Sequence, residues 1–327
     1  MRVAVLDDYQ GVALKMADWR VLPADTQISV FSDHLASDDE VAERLRNFEI
    51  VATMRERTPF GRGRLERLPN LQLLIITGMS NASIDLDSAT DLGILVCGTG
   101  SGIKYHAAEL TWCLILALLR HIPREDAAIR QGHWQTTIGI TLQGKVLGVL
   151  GLGQLGSKVA TIGAAFGMPV IAWSQNLTAE RAAQFGATLV TKDELFTSSD
   201  VLSIHLRLSD RTRGLVDTRE LRLMKPTAYL INTSRGPIVD EAALVQALQT
   251  RTIAGAGLDV FDQEPLPPDH PLICLDNTVM TPHLGYVTKE RYQIYYRDIV
   301  EDIVAYLLGQ PVRVLNPSAL EKTRGHR

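Results

Sequence analysis

A chain of 327 residues, 46% hydrophobic and 21% charged, is long enough for two ordinary domains and too apolar to be disordered. Its formal net charge of −4 gives no basis for a nucleic-acid or anionic-membrane partner. Three cysteines, Cys97, Cys113 and Cys274, lie far apart without a CxxC pair, so neither a disulfide framework nor a zinc site is indicated.

The N-terminal "MRVAVLDDYQ" reads as a short apolar strand followed by acids, not as a signal peptide. The runs "RVAVLDD", "TQISVFS", "FEIVATM", "LQLLIIT" and "GILVCGT" predict short buried strands bounded by Gly, Asp and Pro. Between them "SDDEVAERLRN" offers a Ser N-cap, early acids and late bases, the pattern of a helix. Strands alternating with helices predict a parallel sheet covered on both faces, hence the α/β class.

The alternation then starts again. "AAELTWCLILALLRHI" predicts a long buried helix, whose ten-residue apolar core from Leu110 to Leu119 is too short to span a bilayer. A soluble cytoplasmic protein is expected. Strands follow in "GKVLGVLGLG", "MPVIAWS", "ATLV", "DVLSIHL", "AYLINTS", "IAGAGLDV" and "NTVMTPH". In "RDIVEDIVAYLLG", Ile299, Ile303 and Tyr306 stand near helical spacing, and Tyr292, Tyr295 and Tyr296 read as packing residues. This helix is expected to return to the first array. The resulting domains are 1–99 with 287–327, and 100–286, with an active site in the cleft between them.

Gly151, Gly153 and Gly156 form GxGxxG after an apolar run and before a helical stretch. The first glycine permits a tight turn, the second lets backbone amides approach a pyrophosphate, and the third allows close helix packing. An NAD site usually places an Asp or Glu about twenty residues on, where it accepts from the ribose. Here "VIAWSQN" puts Ser174 at that position, followed by Gln175 and Asn176. A hydroxyl and two amides can donate to a 2′-phosphate that a carboxylate would repel. NAD(P), leaning to NADP, is the expected cofactor; the other reading is a tolerant NAD site. Arg181 is close in sequence, though its helical position can point it elsewhere.

Three further segments carry chemistry. "LINTSRGPIVDEAAL" places Arg235 in a turn after a strand, "GLDVFDQEPL" places Glu264 in a proline-bounded loop, and "TVMTPHLG" places His283 after another strand. A protonated His can donate to a forming alkoxide, and a carboxylate such as Glu264 beside it favours the imidazolium. Arginine grips a carboxylate with two prongs and polarises the adjacent carbonyl. Each alone has a bland structural reading.

Taken together, "RERT", "GILVCGT", "HAAELTWCLILALLR", "GKVLGVLGLGQLG", "LINTSRGPIVDEAALVQAL", "GLDVFDQEPL" and "TPHLG" resemble the D-isomer-specific 2-hydroxyacid dehydrogenases over nearly the whole chain. The resemblance implies two Rossmann-like doubly wound parallel-sheet domains, the cofactor domain being inserted into a discontinuous substrate domain, and a homodimer. It implies His283 as acid/base, Glu264 as its partner and Arg235 as the substrate-orienting residue. Asp259 is expected near the nicotinamide. Gly151, Gly153, Gln154, Leu155, Gly156, Ser174, Gln175, Asn176, His205, Arg207 and Thr233 fall on the cofactor side. Arg55, and the Gly78-Met79-Ser80 backbone, fall on the substrate side. The implied reaction interconverts a small 2-oxo acid and a D-2-hydroxy acid with a nicotinamide cofactor. The formate dehydrogenases resemble the chain less, having Gln where Glu264 stands.

Departures from the family pattern bear on specificity. Arg207 in "HLRLS" stands where proline is usual; it is either a ligand for a 2′-phosphate or a solvated surface residue. "GMSNASIDL" alters the substrate loop and leaves the acid open among glyoxylate, hydroxypyruvate, pyruvate and larger ones. The chain stops soon after "PVRVLNP", without the regulatory extension of some phosphoglycerate dehydrogenases. His106 and Glu109, three apart, lack further metal ligands and read as a helix start, so no metal is expected. "RERTPFGRGR" is a solvated basic loop. The alternative function is a non-catalytic dinucleotide sensor, similar to the corepressors that share the fold.

Overall fold

Short runs of Val, Ile and Leu become strands, and the central ones are buried on both faces. Each fully buried Leu or Ile contributes roughly 1.5–3 kcal/mol from burial, and in β4 (Leu73–Ile76) all four side chains are buried. The structure, a computed structural model, describes residues 1–79, 83–100 and 105–324. The chain divides into two compact units, one of Met1–Ile103 with Thr288–Arg327, the other of Lys104–Val287.

In the first unit, β1 (Arg2–Val5), β2 (Gln27–Val30), β3 (Ile50–Thr53), β4 and β5 (Leu95–Gly98) form a parallel five-stranded sheet in the order β2-β1-β3-β4-β5. The expected helix is Asp38–Leu45, its first turn capped by Ser37 and filled by Asp38, Asp39 and Glu40. The helix Lys289–Leu307 belongs to this unit and buries Tyr292, Tyr295, Tyr296, Ile299 and Ile303. Residues 313–316 then cover the open edge of β5. Gly98 N–H donates to the Arg313 carbonyl, Leu315 N–H to that of Val96, and Val96 N–H to Asn316 Oδ1.

A buried ionic cluster accompanies that cover. Arg313 Nε donates to Asp302 Oδ1 at 3.0 Å, while Asp302 Oδ2 has no partner among the described residues. Burial pushes the Asp302 carboxyl up to about 8, against the pull of Arg313. The neighbouring Cys97 thiol is pushed up to about 12, first by burial and then by the Asp302 charge.

In the second unit, β6 (Leu147–Leu150), β7 (Val170–Trp173), β8 (Ala187–Leu189), β9 (Val201–Ile204), β10 (Tyr229–Asn232), β11 (Gly255–Leu258) and β12 (Thr278–Met280) form a parallel seven-stranded sheet. Their order is β12-β11-β10-β9-β6-β7-β8. The order reverses at β6, flanked by β7 and β9, and such a switch point opens a crevice at the carboxyl ends of the strands. The two parallel sheets with their helices are the expected doubly wound α/β class. One helix differs from expectation. His106–Leu119 stops before "RHI" because His121 adopts a left-handed conformation (φ 52°) and Pro123 opens a second helix, Ile122–Arg130.

Candidate active site

The glycine loop follows β6 at the switch point. Gly151 has φ +101°, and a Cβ there would lie 2.9 Å from the His205 carbonyl carbon. A Cβ on Gly156 would strike the Gly151 carbonyl. Both positions therefore demand glycine, one for the turn and one for packing. Gly153 faces open space and is the N-cap of the helix Gln154–Ala165, which has no capping side chain and no acid in its first turn. The partial positive charge of that helix end, with Gln154 and Leu155 in its first turn, is left available to an anion. This cradle fits the pyrophosphate of a dinucleotide.

Beside it, Gly151 N–H donates to the Trp173 carbonyl, so Ser174, Gln175 and Asn176 begin next to the glycine turn. Arg181 does not join them: it donates to Gln184 Oε1 at 2.9 Å and stacks on Phe185. Arg207 is exposed beyond β9, on the other side of β6, so two strand spacings, roughly 10 Å, separate the ends of β7 and β9. His205 pairs with Ser203 Oγ at 2.8 Å, and burial pushes its imidazole down to about 4, which keeps it neutral. Thr233, buried after β10, pairs with the Thr111 hydroxyl at 2.8 Å.

Arg235, Glu264 and His283 follow the adjacent strands β10, β11 and β12. Arg235 is half-buried, its Nη1 donating to the Ser234 carbonyl at 2.7 Å. Asn232 braces this turn, accepting from Ser234 N–H and donating to the Arg235 carbonyl. A Cβ on Gly236 would collide with the Phe261–Asp262 peptide, so the Arg235 turn rests backbone to backbone on the loop that carries Glu264. Glu264 Oε1 accepts from Phe261 N–H at 3.0 Å, and Oε2 lies 2.5 Å from His283 Nδ1.

An ionised carboxylate only accepts, so Nδ1 carries the proton and Nε2 is left to give or take another. His283 itself has φ +54°, a conformation that costs a non-glycine residue energy unless its surroundings hold it. Asp259 supplies the hold. Its Oδ1 accepts from Thr281 Oγ1 (2.6 Å) and Leu284 N–H (2.7 Å), and its Oδ2 accepts from Gly285 N–H (2.9 Å). Asp259 is fully buried; burial raises its pKa, opposed by those donors and by His283. Its side chain is thereby tied to the His283 turn, at the end of β11 where the nicotinamide is expected.

Arg55, Met79 and Ser80 stand in the other unit. Arg55 has φ +51°, with its N–H on Thr77 Oγ1 at 2.7 Å and Nη1 on the Thr77 carbonyl at 3.2 Å. Its guanidinium occupies the space a side chain at Gly78 would fill. Gly78 N–H is already taken by Thr99 Oγ1, and Met79 is exposed. Ser80 lies outside the described residues.

Sequence reasoning did not single out Thr281, Glu241 or His270. Glu241 opens the helix Glu241–Gln249, accepting from Asp262 N–H (3.1 Å) and pairing with His270 Nε2 (3.0 Å). Its only sequence signal is its place inside the quoted "PIVDEAAL". Among the described residues no group of three or more His, Cys, Asp and Glu could hold a metal, and no helix is long and apolar enough to cross a membrane.

Comparison with known proteins places this geometry. The family profile described as D-isomer specific 2-hydroxyacid dehydrogenase, NAD binding domain, matches residues 112–285. A glyoxylate reductase of Aeropyrum pernix is 41% identical over 262 residues, covering 77% of this chain and 78% of the relative. A D-3-phosphoglycerate dehydrogenase of Archaeoglobus fulgidus is 37% identical over 279 residues, which is 85% of this chain; the chain spans 53% of that relative's length. The crystal structure of a putative D-3-phosphoglycerate dehydrogenase oxidoreductase from Ralstonia solanacearum superposes with a TM-score of 0.91 at 39% identity, covering 98% of both chains. With a glycine loop at the switch point and a paired Glu and His after the two strands next to that of Arg235, the chain belongs to the D-isomer-specific 2-hydroxyacid dehydrogenases, nicotinamide-dependent oxidoreductases of 2-oxo and 2-hydroxy acids.

Proposed function

We propose that the chain reduces a small 2-oxo acid of the glyoxylate, hydroxypyruvate or pyruvate kind to its D-2-hydroxy acid, with NADPH preferred over NADH, as a cytoplasmic homodimer. The observation that carries the roles is the 2.5 Å pairing of His283 Nδ1 with Glu264, which leaves Nε2 as the proton donor. A nicotinamide, when bound, supplies hydride to the substrate's C2. His283 Nε2 gives the proton to the oxygen that becomes negative, and Glu264 stabilises the imidazolium before that transfer. Arg235 orients the substrate carboxylate and polarises its carbonyl. The unit holding Arg55 and Met79 serves as the substrate domain, the other as the cofactor domain.

The NADPH preference rests on Ser174, Gln175 and Asn176, which present no carboxylate where a 2′-phosphate would lie. Arg207, exposed three residues beyond β9, is not needed for that reading. The dimer reading rests on an apolar stretch left exposed among the described residues. Trp134 and Ile138 are 76% and 93% exposed on a segment without regular structure, beside exposed Ile122 and Ile129. Initial rates with a panel of 2-oxo acids, run with NADPH and NADH in parallel, test the proposal. Turnover favouring NADPH is expected. Turnover favouring NADH would overturn the reading of Ser174, and tight cofactor binding without any turnover would overturn the roles given to His283 and Glu264.

A further inference from the structure

The loop from Phe261 to His270 carries Glu264, yet between its ends it contains no helix or strand of its own. Besides the Glu264–His283 pairing, two ties near its ends run to one residue. Glu241 Oε2 accepts from Asp262 N–H, two residues before Glu264, and Glu241 Oε1 pairs with His270 Nε2 at the far end of the loop. The imidazole is committed to that pairing. His270 Nδ1 accepts from Leu272 N–H, so Nε2 carries the ring proton and donates to the carboxylate. Glu241 also opens the helix that follows the Arg235 turn, and Gly236 in that turn lies directly against the Phe261–Asp262 peptide. The carboxylate therefore fixes the Glu264 loop to the element that presents Arg235.

We infer that Glu241, with His270 as its second anchor, is a positioning residue for the acid/base pair: it holds the loop at the setting in which Glu264 reaches His283 Nδ1. The inference rests on the roles proposed above for Glu264 and His283. A displacement of about 1 Å at a reacting group can cost up to about 100-fold in rate. Glu241 touches neither partner of the pair, so its effect passes through Glu264.

The test is a double-substitution comparison of Glu241→Ala and Glu264→Gln, singly and together, reading kcat and the dissociation constant of NADPH or NADH by cofactor fluorescence. Glu241→Ala is expected to lower kcat by about 10-fold to 100-fold with cofactor affinity unchanged. Added to Glu264→Gln it should cost less than about twofold more, because the group it positions is already gone. Glu241→Gln keeps an acceptor for Asp262 N–H but turns an amide N–H₂ toward the His270 proton. It should lower kcat by about threefold to 10-fold, less than Glu241→Ala because only the His270 tie is lost, and it supplies the same comparison should Glu241→Ala fail to fold. Two results would overturn the inference: full kcat in both Glu241 variants, or losses that multiply in the double variant. If Glu264→Gln by itself leaves kcat intact, the acid/base pair is what fails, and that outcome is separate from either.

Discussion

Asp259 and Asp302 are both fully buried carboxylates, one in each unit, and burial raises the pKa of both. Their surroundings differ. Asp259 receives a hydroxyl and two backbone amides spread over both of its oxygens, all from the turn that carries His283. Asp302 has Arg313 on one oxygen and nothing on the other among the described residues, and its carboxyl is pushed up to about 8. A carboxylate surrounded by fixed donors acts as a clamp, because moving the turn would strand buried donors and acceptors at about 1–3 kcal/mol each. A carboxylate with an idle oxygen is a site where a proton is cheaply taken up. The reactive unit uses the first kind to hold a strained histidine, and the scaffold tolerates the second.

Removing what Asp259 holds should give the largest effect. His283→Ala is expected to lower kcat by about 10²–10⁴-fold while the melting temperature stays close to the parent's, checked by initial rates and thermal unfolding. A variant with more than about a tenth of parental turnover would mean that the clamp presents something other than the proton donor. Asp259→Asn comes next: its amide must face either Gly285 N–H or the Thr281 and Leu284 donors with another donor. Urea unfolding should show a loss of about 1–3 kcal/mol, accompanied by a fall in kcat. Parental stability and turnover in this variant would break the comparison.

Asp302→Asn should be the mildest, within about 1 kcal/mol at neutral pH, since its carbonyl still accepts from Arg313. What it changes is a slope. Burial pushes the folded Asp302 carboxyl from the ordinary 3.8 up to about 8, so between those values the folded state holds an extra proton. Its contribution to stability is complete below the lower value and is lost as the pH rises through the upper one. Urea midpoints measured at about pH 5 and about pH 9 should therefore fall further for the parent than for Asp302→Asn. Equal falls would show that Asp302 ionises in the folded state as it does in water.

Much of this was legible in the sequence, for identifiable reasons. The strands are unbroken apolar runs because parallel sheets are covered on both faces, and the restart of the alternation near residue 100 announced a second sheet. Gly151 and Gly156 were legible because each answers a steric demand that no other residue meets. The position of Ser174 was legible because it directly follows a strand whose register with β6 is fixed. The grip of Asp259 on Thr281, Leu284 and Gly285 was not. It spans more than twenty residues and arises only when Leu258 pairs with Met280, the register that brings the end of β11 beside the end of β12. Glu241 escaped for a similar reason: its partners sit across a loop whose path no periodicity records. The break at His121 came from a single left-handed residue, which a helical pattern conceals.

The cover on β5 has a consequence for synthesis. Residues 313–316 leave the ribosome only after the whole of Lys104–Val287, so the first 312 of the 327 residues emerge with the β5 edge of the N-terminal sheet unpaired. The unit made second is contiguous and can finish folding first, while the one begun first must wait. A nascent chain stalled between the two would display a bare row of amides and carbonyls along β5, the kind of edge that recruits other chains. For this molecule, the interval between making β5 and making Asn316 is when it is most in need of a chaperone.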